Sequence, residues 1–373
     1  MAESGFSLKD QLFNGKTLDK LAAEYAAGLP GFDAAAYAKQ AVSGIAERSL
    51  MECLDWFADC LEPHLASEFP AMADQLEAMM PERLDPSLSD DDFGHFVHAV
   101  PGVLAVRHGL EDHRERALDL LYVATQRFSM EFYIRAFINR WPDETLARLR
   151  LWARDDNYHV RRLVSEGTRP KLPWARAISI GPDVTLPLLD GLHGDKTRFV
   201  TRSVANHLND ISKTAPDLVV GRLQDWQQAG QQSGKELDWM TRHALRSLVK
   251  SGHVGALALL GYAADVPVDV AIEIETPRAC LGDALRFRVR VGADQDLPVL
   301  VDYRLVLHRP KGKPGEKVFK LKTGRVKPGE AFVIEKSHKL KGNATTFRLY
   351  PGPHKVIVQV NGVDRAEAAF ELV

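Results

Sequence analysis

Three carboxylates and one indole stand out because their residue types suit a hydrolytic site. Glu131 lies amid Phe128, Phe132 and Tyr133, Glu166 precedes Gly167-Thr-Arg-Pro-Lys-Leu-Pro-Trp174, and Asp210 closes Asn206-His-Leu-Asn-Asp210. Carboxylates can stabilise a developing cation and place or deprotonate a water. An indole face attracts a cation. Each residue also has a plainer role open to it: a capping-type acid for Glu131, a solvated surface acid for Asp210, a packing residue in a linker for Trp174.

Other chemical signatures fail on spacing. Gly15-Lys16-Thr17 resembles the end of a phosphate-binding loop, but Asp10 stands where that loop needs glycine. His95 and His98 have no cysteine or carboxylate arrangement that suggests zinc, so no metal is expected. Asn343-Ala-Thr is a bare glycosylation triplet. No glycine-rich dinucleotide fingerprint follows a strand, and no Ser-His-Asp set is readable from spacing, so no cofactor is expected. Cys53, Cys60 and Cys280 are too few and scattered for a disulfide frame. Met1 to Lys20 lacks the apolar stretch of a signal peptide, and no apolar run reaches the ~18 residues of a membrane span. The expectation is a reduced cytoplasmic protein, monomeric and without a membrane partner.

The net charge of −2 hides an asymmetry. Residues 1–139 carry 11 Lys/Arg against 23 Asp/Glu, a net of −12; residues 140–264 carry 18 against 13, and residues 265–373 carry 19 against 14, +5 each. Two basic segments after an acidic third are compatible with a polyanion on one side of the molecule, or with ordinary solvated surface.

The elements that must position these residues are mostly helical. From Leu8 to Tyr262 apolar residues recur at three and four spacings, as in Leu118-Leu121-Tyr122 and Leu146-Leu149-Trp152. Near Val266-Pro267 the period becomes two, in Val268-Val270-Ile272-Ile274, Leu285-Phe287-Val289-Val291, Val301-Tyr303-Leu305-Leu307 and Val356-Val358-Val360. About seven short strands predict an immunoglobulin-type sandwich. The predicted division is a helical domain at 1–264 and an all-β domain at 265–373.

The helical part repeats. Val160-Arg-Arg-Leu-Val-Ser-Glu, Val200-Thr-Arg-Ser-Val-Ala-Asn and Met240-Thr-Arg-His-Ala-Leu-Arg recur every 40 residues, and Pro142-Asp143, Pro182-Asp183 and Pro216-Asp217 open the helices before them. Helix pairs at this period predict a HEAT-like α-α solenoid. An earlier unit is expected at 113–140, with Ser129 as N-cap of its second helix. In the second helices Val160, Leu163, Val164, Val200, Val204, Leu208, Met240, Ala244 and Leu248 should face inward. Arg162, Glu166, Pro170; Arg202, Asn206, Asp210; and Arg242, Arg246, Lys250 should form polar rows, the last wholly basic. These rows suit phosphates at one end and a cationic target at the other, or are simply solvated faces.

Leu8-Lys-Asp-Gln-Leu-Phe-Asn14, Asp155-Asp-Asn-Tyr-His-Val-Arg-Arg-Leu-Val-Ser-Glu-Gly-Thr-Arg-Pro-Lys-Leu-Pro-Trp174 and Ser203-Val-Ala-Asn-His-Leu-Asn-Asp210 resemble the AlkC group of alkylation-repair DNA glycosylases. The resemblance spans roughly residues 7–262, and some members of the group carry a C-terminal immunoglobulin-like domain. It implies excision of cationic N-alkylated bases such as 3-methyladenine and 3-methylcytosine from double-stranded DNA, without full base flipping. It puts the group's active-site carboxylates on Glu131, Glu166 and Asp210 and its aromatic on Trp174. It also implies a protein that associates with the nucleoid while acting on DNA. Within that frame Asp210 is expected nearest the sugar, with Glu131 and Glu166 facing the damaged base. The repeat register adds Arg162, Arg202, Arg242, Arg246 and Lys250 as backbone contacts, with Arg169 and Lys171 beside the Trp174 loop. Lys311, Lys313, Lys317, Lys320 and Lys322 could add affinity for the duplex or protect a strand edge. A protein-binding scaffold and a non-catalytic DNA binder are the competing readings.

Overall fold

The computed structural model describes residues 8–342 and 347–373, so the Asn343 triplet lies outside the described residues. Helices α1–α6 occupy Leu8–Leu12, Gly15–Gly28, Ala34–Ser43, Leu50–Leu61, Phe69–Ala78 and Val100–Gly109. Asn14 explains part of the first motif: its side chain accepts from Thr17 N at 3.2 Å and caps α2. Lys9 donates to the carbonyls of Ile45 at 2.9 Å and Arg48 at 2.8 Å, tying α1 to the turn after α3.

The repeating helices follow as pairs: α7 (Arg114–Thr125) with α8 (Ile134–Arg140), α9 (Pro142–Trp152) with α10 (Tyr158–Gly167), α11 (Pro182–Leu192) with α12 (Arg198–Ile211), and α13 (Pro216–Ala229) with α14 (Gly234–Ala244). Each Pro-Asp pair opens its helix, where a missing N–H costs nothing and an acid meets the positive end of the dipole. The inward set from Val160 to Leu248 is buried throughout.

Three local expectations fail. Helix α8 begins at Ile134, so Ser129 caps nothing and Glu131 lies in the turn before it. Helix α10 ends at Gly167, which removes Pro170 from its row; a Cβ on Gly167 would meet Ile134 Cγ2 at 2.5 Å. Helix α14 stops at Ala244 and a separate α15 runs Arg246–Lys250, so the basic row is broken between Arg242 and Arg246. Helix α16 (Val254–Leu259) is the last before the strands.

Strands β1 (Asp269–Ile274), β3 (Ala284–Gly292) and β6 (Phe332–Lys339) make one antiparallel sheet. The other has the order β2-β8-β7-β4-β5, from Arg278–Ala279, Val363–Leu372, Gly352–Val360, Leu297–Leu307 and Gly315–Val326. Alternate side chains such as Leu285, Phe287, Val289, Val301, Tyr303, Leu305, Val356 and Val358 form one buried cluster, as sheet-on-sheet packing requires. The domain is immunoglobulin-like. Lys317, Lys320 and Lys322 lie on β5, an edge strand, where lysine also discourages edge-to-edge pairing.

By contacts the chain forms two compact units. One runs to Ile211 and takes in Ala229–Met240; the other holds Ser212–Gln228 and Thr241–Val373, so the last helices associate with the strands.

Candidate active site

Within the first unit, α10 and α12 pack side by side, which puts the ends of two repeat motifs together. Glu166, in the last turn of α10, and Asp210, in the last turn of α12, are 4% and 6% exposed. Glu131 reaches them from the turn before α8 through a chain of alternating charge. Arg162 Nη1 donates to Glu131 Oε2 at 2.9 Å, and its Nη2 lies 3.7 Å from Glu166 Oε2. Arg169 donates to Glu166, and to Asp210 Oδ2 through Nε at 2.9 Å and Nη2 at 2.8 Å. Two guanidiniums thus link three carboxylates, and the buried Arg135 guanidinium lies within electrostatic reach of Glu131 and Glu166.

The surroundings fix this chain. Ser203 Oγ donates to Glu166 Oε2 at 2.6 Å and lies 2.9 Å from Ser165 Oγ. Arg162 sits over the Phe199 ring with 4.6 Å to its centroid. His207 is fully buried, and its Nδ1 lies 3.1 Å from the Ser165 carbonyl. A carbonyl only accepts, so Nδ1 carries the hydrogen; burial pushes this imidazole down to about 4, which keeps it neutral near pH 7.

Burial raises the Glu131 carboxyl above its ordinary range, only partly opposed by Arg162. Burial would raise Glu166 as well, but Arg162 and Arg169, with Ser203, hold it below that range. Burial alone would lower Arg162 and Arg169, and the adjoining carboxylates raise them instead. Two neighbouring glutamates are thereby pushed apart, a pattern common at functional sites.

The segment after α10 carries Trp174. This residue is 61% exposed and has φ of +59°, a left-handed conformation that a bulky residue adopts only when its surroundings enforce it. With Phe132, Tyr133, Asp55, Arg107 and Arg176 it lines a cavity of about 320 Å³.

Similarity to known proteins agrees with this architecture. Residues 269–373 match the family described as "Uncharacterised protein YhaZ, C-terminal Ig-like domain". The uncharacterised protein YhaZ of Bacillus subtilis (strain 168) is 33% identical over 264 residues, 70% of this chain and 72% of that protein. The Pseudomonas fluorescens alkylpurine DNA glycosylase AlkC, solved bound to DNA containing an abasic site analog, superposes with a TM-score of 0.83 at 32% identity, over 99% of this chain and all of that one. The chain belongs to the AlkC family.

Against that family frame, the expected site residues fall into two groups. Glu131, Glu166 and Asp210 are brought together, while Trp174 joins a neighbouring aromatic cavity rather than the ion-pair chain. The cations divide differently from their expected role. Arg162, within α10, holds Glu131 and approaches Glu166, and Arg169, just past the end of α10, holds Glu166 and Asp210. Arg202 pairs with Asp90 and, at 3.3 Å, Asp91. Lys171 is exposed. Arg242, Arg246 and Lys250 are exposed and, within the second unit, line a cavity of about 650 Å³ with Lys320, Phe319 and Tyr262.

Sequence spacing missed the acidic loop around Asp90. Phe199 N donates to the Ser89 carbonyl at 3.0 Å, and Phe93 packs edge-on against Phe199 at 5.0 Å. No periodicity links a loop to a helix more than a hundred residues away. Among the described residues no group of three or more potential ligands could hold a metal, and no helix is long and apolar enough to cross a membrane.

Proposed function

We propose that the protein is a DNA glycosylase that hydrolyses the N-glycosidic bond of cationic N-alkylated bases, including 3-methyladenine and 3-methylcytosine, in duplex DNA. The observation that carries this reading is the Glu131–Arg162–Glu166–Arg169–Asp210 chain, which fixes three carboxylates side by side. Likeness over the whole chain to an alkylpurine DNA glycosylase supports the alkylpurine part of that substrate class.

A base that already bears a positive charge needs no proton to leave. Its C1′–N bond breaks with the electron pair passing to the base, which becomes neutral, and positive charge develops on the sugar. Carboxylates fixed in place stabilise that charge without reorganising at the moment of reaction. Asp210 is the residue assigned to the water: it accepts a proton as the water oxygen bonds to C1′. Glu131 and Glu166 make the surroundings negative for the cationic base and indifferent to a neutral one. Trp174 offers its π face to the sugar or base, so recognition does not require the base to turn fully out of the helix. Lys171, Arg202, Arg242, Arg246 and Lys250 are assigned to DNA phosphates; for Arg202 this means exchanging Asp90 and Asp91 for phosphate oxygens.

The test is incubation of wild-type protein with duplex DNA alkylated by a methylating agent, followed by chromatography of released bases and alkali cleavage of abasic sites. Release of 3-methyladenine and 3-methylcytosine with matching abasic sites is expected. Tight DNA binding with no release would contradict the enzyme and leave a binding protein.

A further inference from the structure

Arg135 is only 1% exposed, among the largest fully buried side chains of the protein. No carboxylate pairs with it among the described residues. Its guanidinium instead donates to three backbone carbonyls of a single segment: Nη1 to Gly167 at 3.0 Å and Arg169 at 2.8 Å, and Nε to Arg176 at 2.5 Å. Four residues on, Asn139 holds the outer part of the same segment, donating to the Ala177 carbonyl at 2.9 Å and accepting from Ser179 N at 2.9 Å. One face of α8 therefore grips residues 167–179 at both ends.

That segment carries both halves of the site. Arg169 bridges Glu166 and Asp210, and Trp174 stands in its left-handed conformation. Burying a cation whose hydrogen bonds all go to carbonyls is expensive even with Glu131 and Glu166 within electrostatic reach, and an apolar side chain would fill the space at less cost. A guanidinium does what an apolar residue cannot: its planar fork fixes three carbonyls in one relative geometry.

We infer that Arg135 is a positioning residue of the glycosylase site, setting the Arg169 bridge and the Trp174 ring in one geometry by stapling the segment between them to α8. The inference rests on the proposed function for its kinetic consequence and on the hydrogen bonds alone for its structural one. Lysine keeps the charge but not the fork, so Arg135→Lys separates the two.

The experiment uses the full chain, comparing wild type, Arg135→Lys and Asn139→Ala by thermal unfolding, duplex binding and single-turnover base release. Each is also made in a Trp174→Phe background, so that the emission of Trp174 and its quenching by acrylamide are obtained by difference. Arg135→Lys is expected to slow base release by roughly 10²-fold, the usual consequence of an ångström-scale misplacement. DNA affinity should stay within about threefold and the Trp174 emission should change. Asn139→Ala, which loosens only the outer grip, should lose less and serves as the measured variant if Arg135→Lys does not fold. Unchanged Trp174 emission and release in folded Arg135→Lys, or in Asn139→Ala should it stand alone, would overturn the inference; so would a loss of release that merely tracks lost binding. If the wild type releases no base, the proposed function fails, and the Trp174 signal still judges the staple.

Discussion

In the helical unit Glu166 and Asp210 are buried beside the guanidiniums of Arg162 and Arg169, whereas in the sandwich Asp302 is 8% exposed with Lys320 as its cross-strand neighbour. The consequences differ in sign. Glu166 is held below its ordinary range, while burial raises Asp302 to about 6 despite Lys320. Two fixed guanidiniums and a serine hydroxyl outweigh burial at Glu166; a single flexible ammonium at an edge strand does not outweigh it at Asp302. Retaining charge inside a fold thus depends on how many rigid donors are aimed at it, and the helical unit aims them where the proposed chemistry needs negative charge.

The largest way to break this contrast is to remove a carboxylate from the helical network. Glu166→Ala leaves Arg162 and Arg169 short of a buried partner and should cost about 3 kcal/mol or more, read by urea unfolding. A change below 1 kcal/mol would mean that water already shares the network.

The histidines sharpen the same point, because burial outweighs the charges near them: Glu166 and Asp210 raise His207 only in part, and Arg162 lowers His159 further. Burial depresses both His159 and His207 to about 4. The unfolded chain therefore binds their protons near pH 6.5 while the folded chain does not. Stability should fall as the pH drops from about 6.5 towards about 4, by up to ~3 kcal/mol per histidine. A flat profile of unfolding free energy over that window would contradict their burial as neutral groups.

In the sandwich the effect is smaller and opposite. The folded state binds the Asp302 proton more tightly than the unfolded one, so its contribution is most favourable below about pH 4 and is lost as the pH rises through about 6. Asp302→Asn should add roughly 1–2 kcal/mol at pH 7 and flatten that part of the profile. Loss of stability at pH 7 would show that Lys320 outweighs burial. Smallest is Trp174→Gly, which relieves the left-handed backbone and should stabilise by about 1 kcal/mol while impairing base release.

Much of this contrast was legible in the sequence. The 40-residue recurrence around Val160, Val200 and Met240 fixes the helix pairs, since apolar residues spaced by three and four return to one face only at a 3.6-residue period. The alternation after Val266 marks the strands equally well. Spacing also placed Glu166 and Asp210 in corresponding rows, but it could not say whether Arg162 and Arg169 turn to a phosphate or to acids, because Glu131 reaches Arg162 from another repeat and Arg169 lies past the end of α10. Ser129 misled because a serine before an apolar run resembles a cap whether or not the helix starts there. Arg135 left no signal at all: its partners are backbone carbonyls, which every residue possesses.

The most direct test of the central claim is single-turnover base release from methylated duplex DNA by wild type and Asp210→Asn, with DNA affinity measured in parallel. The isosteric amide keeps the shape beside Arg169 but cannot take the water's proton. Release slowed by about 10²–10⁴-fold with affinity nearly unchanged is the predicted result. Release at the wild-type rate from folded, DNA-binding Asp210→Asn would contradict the account.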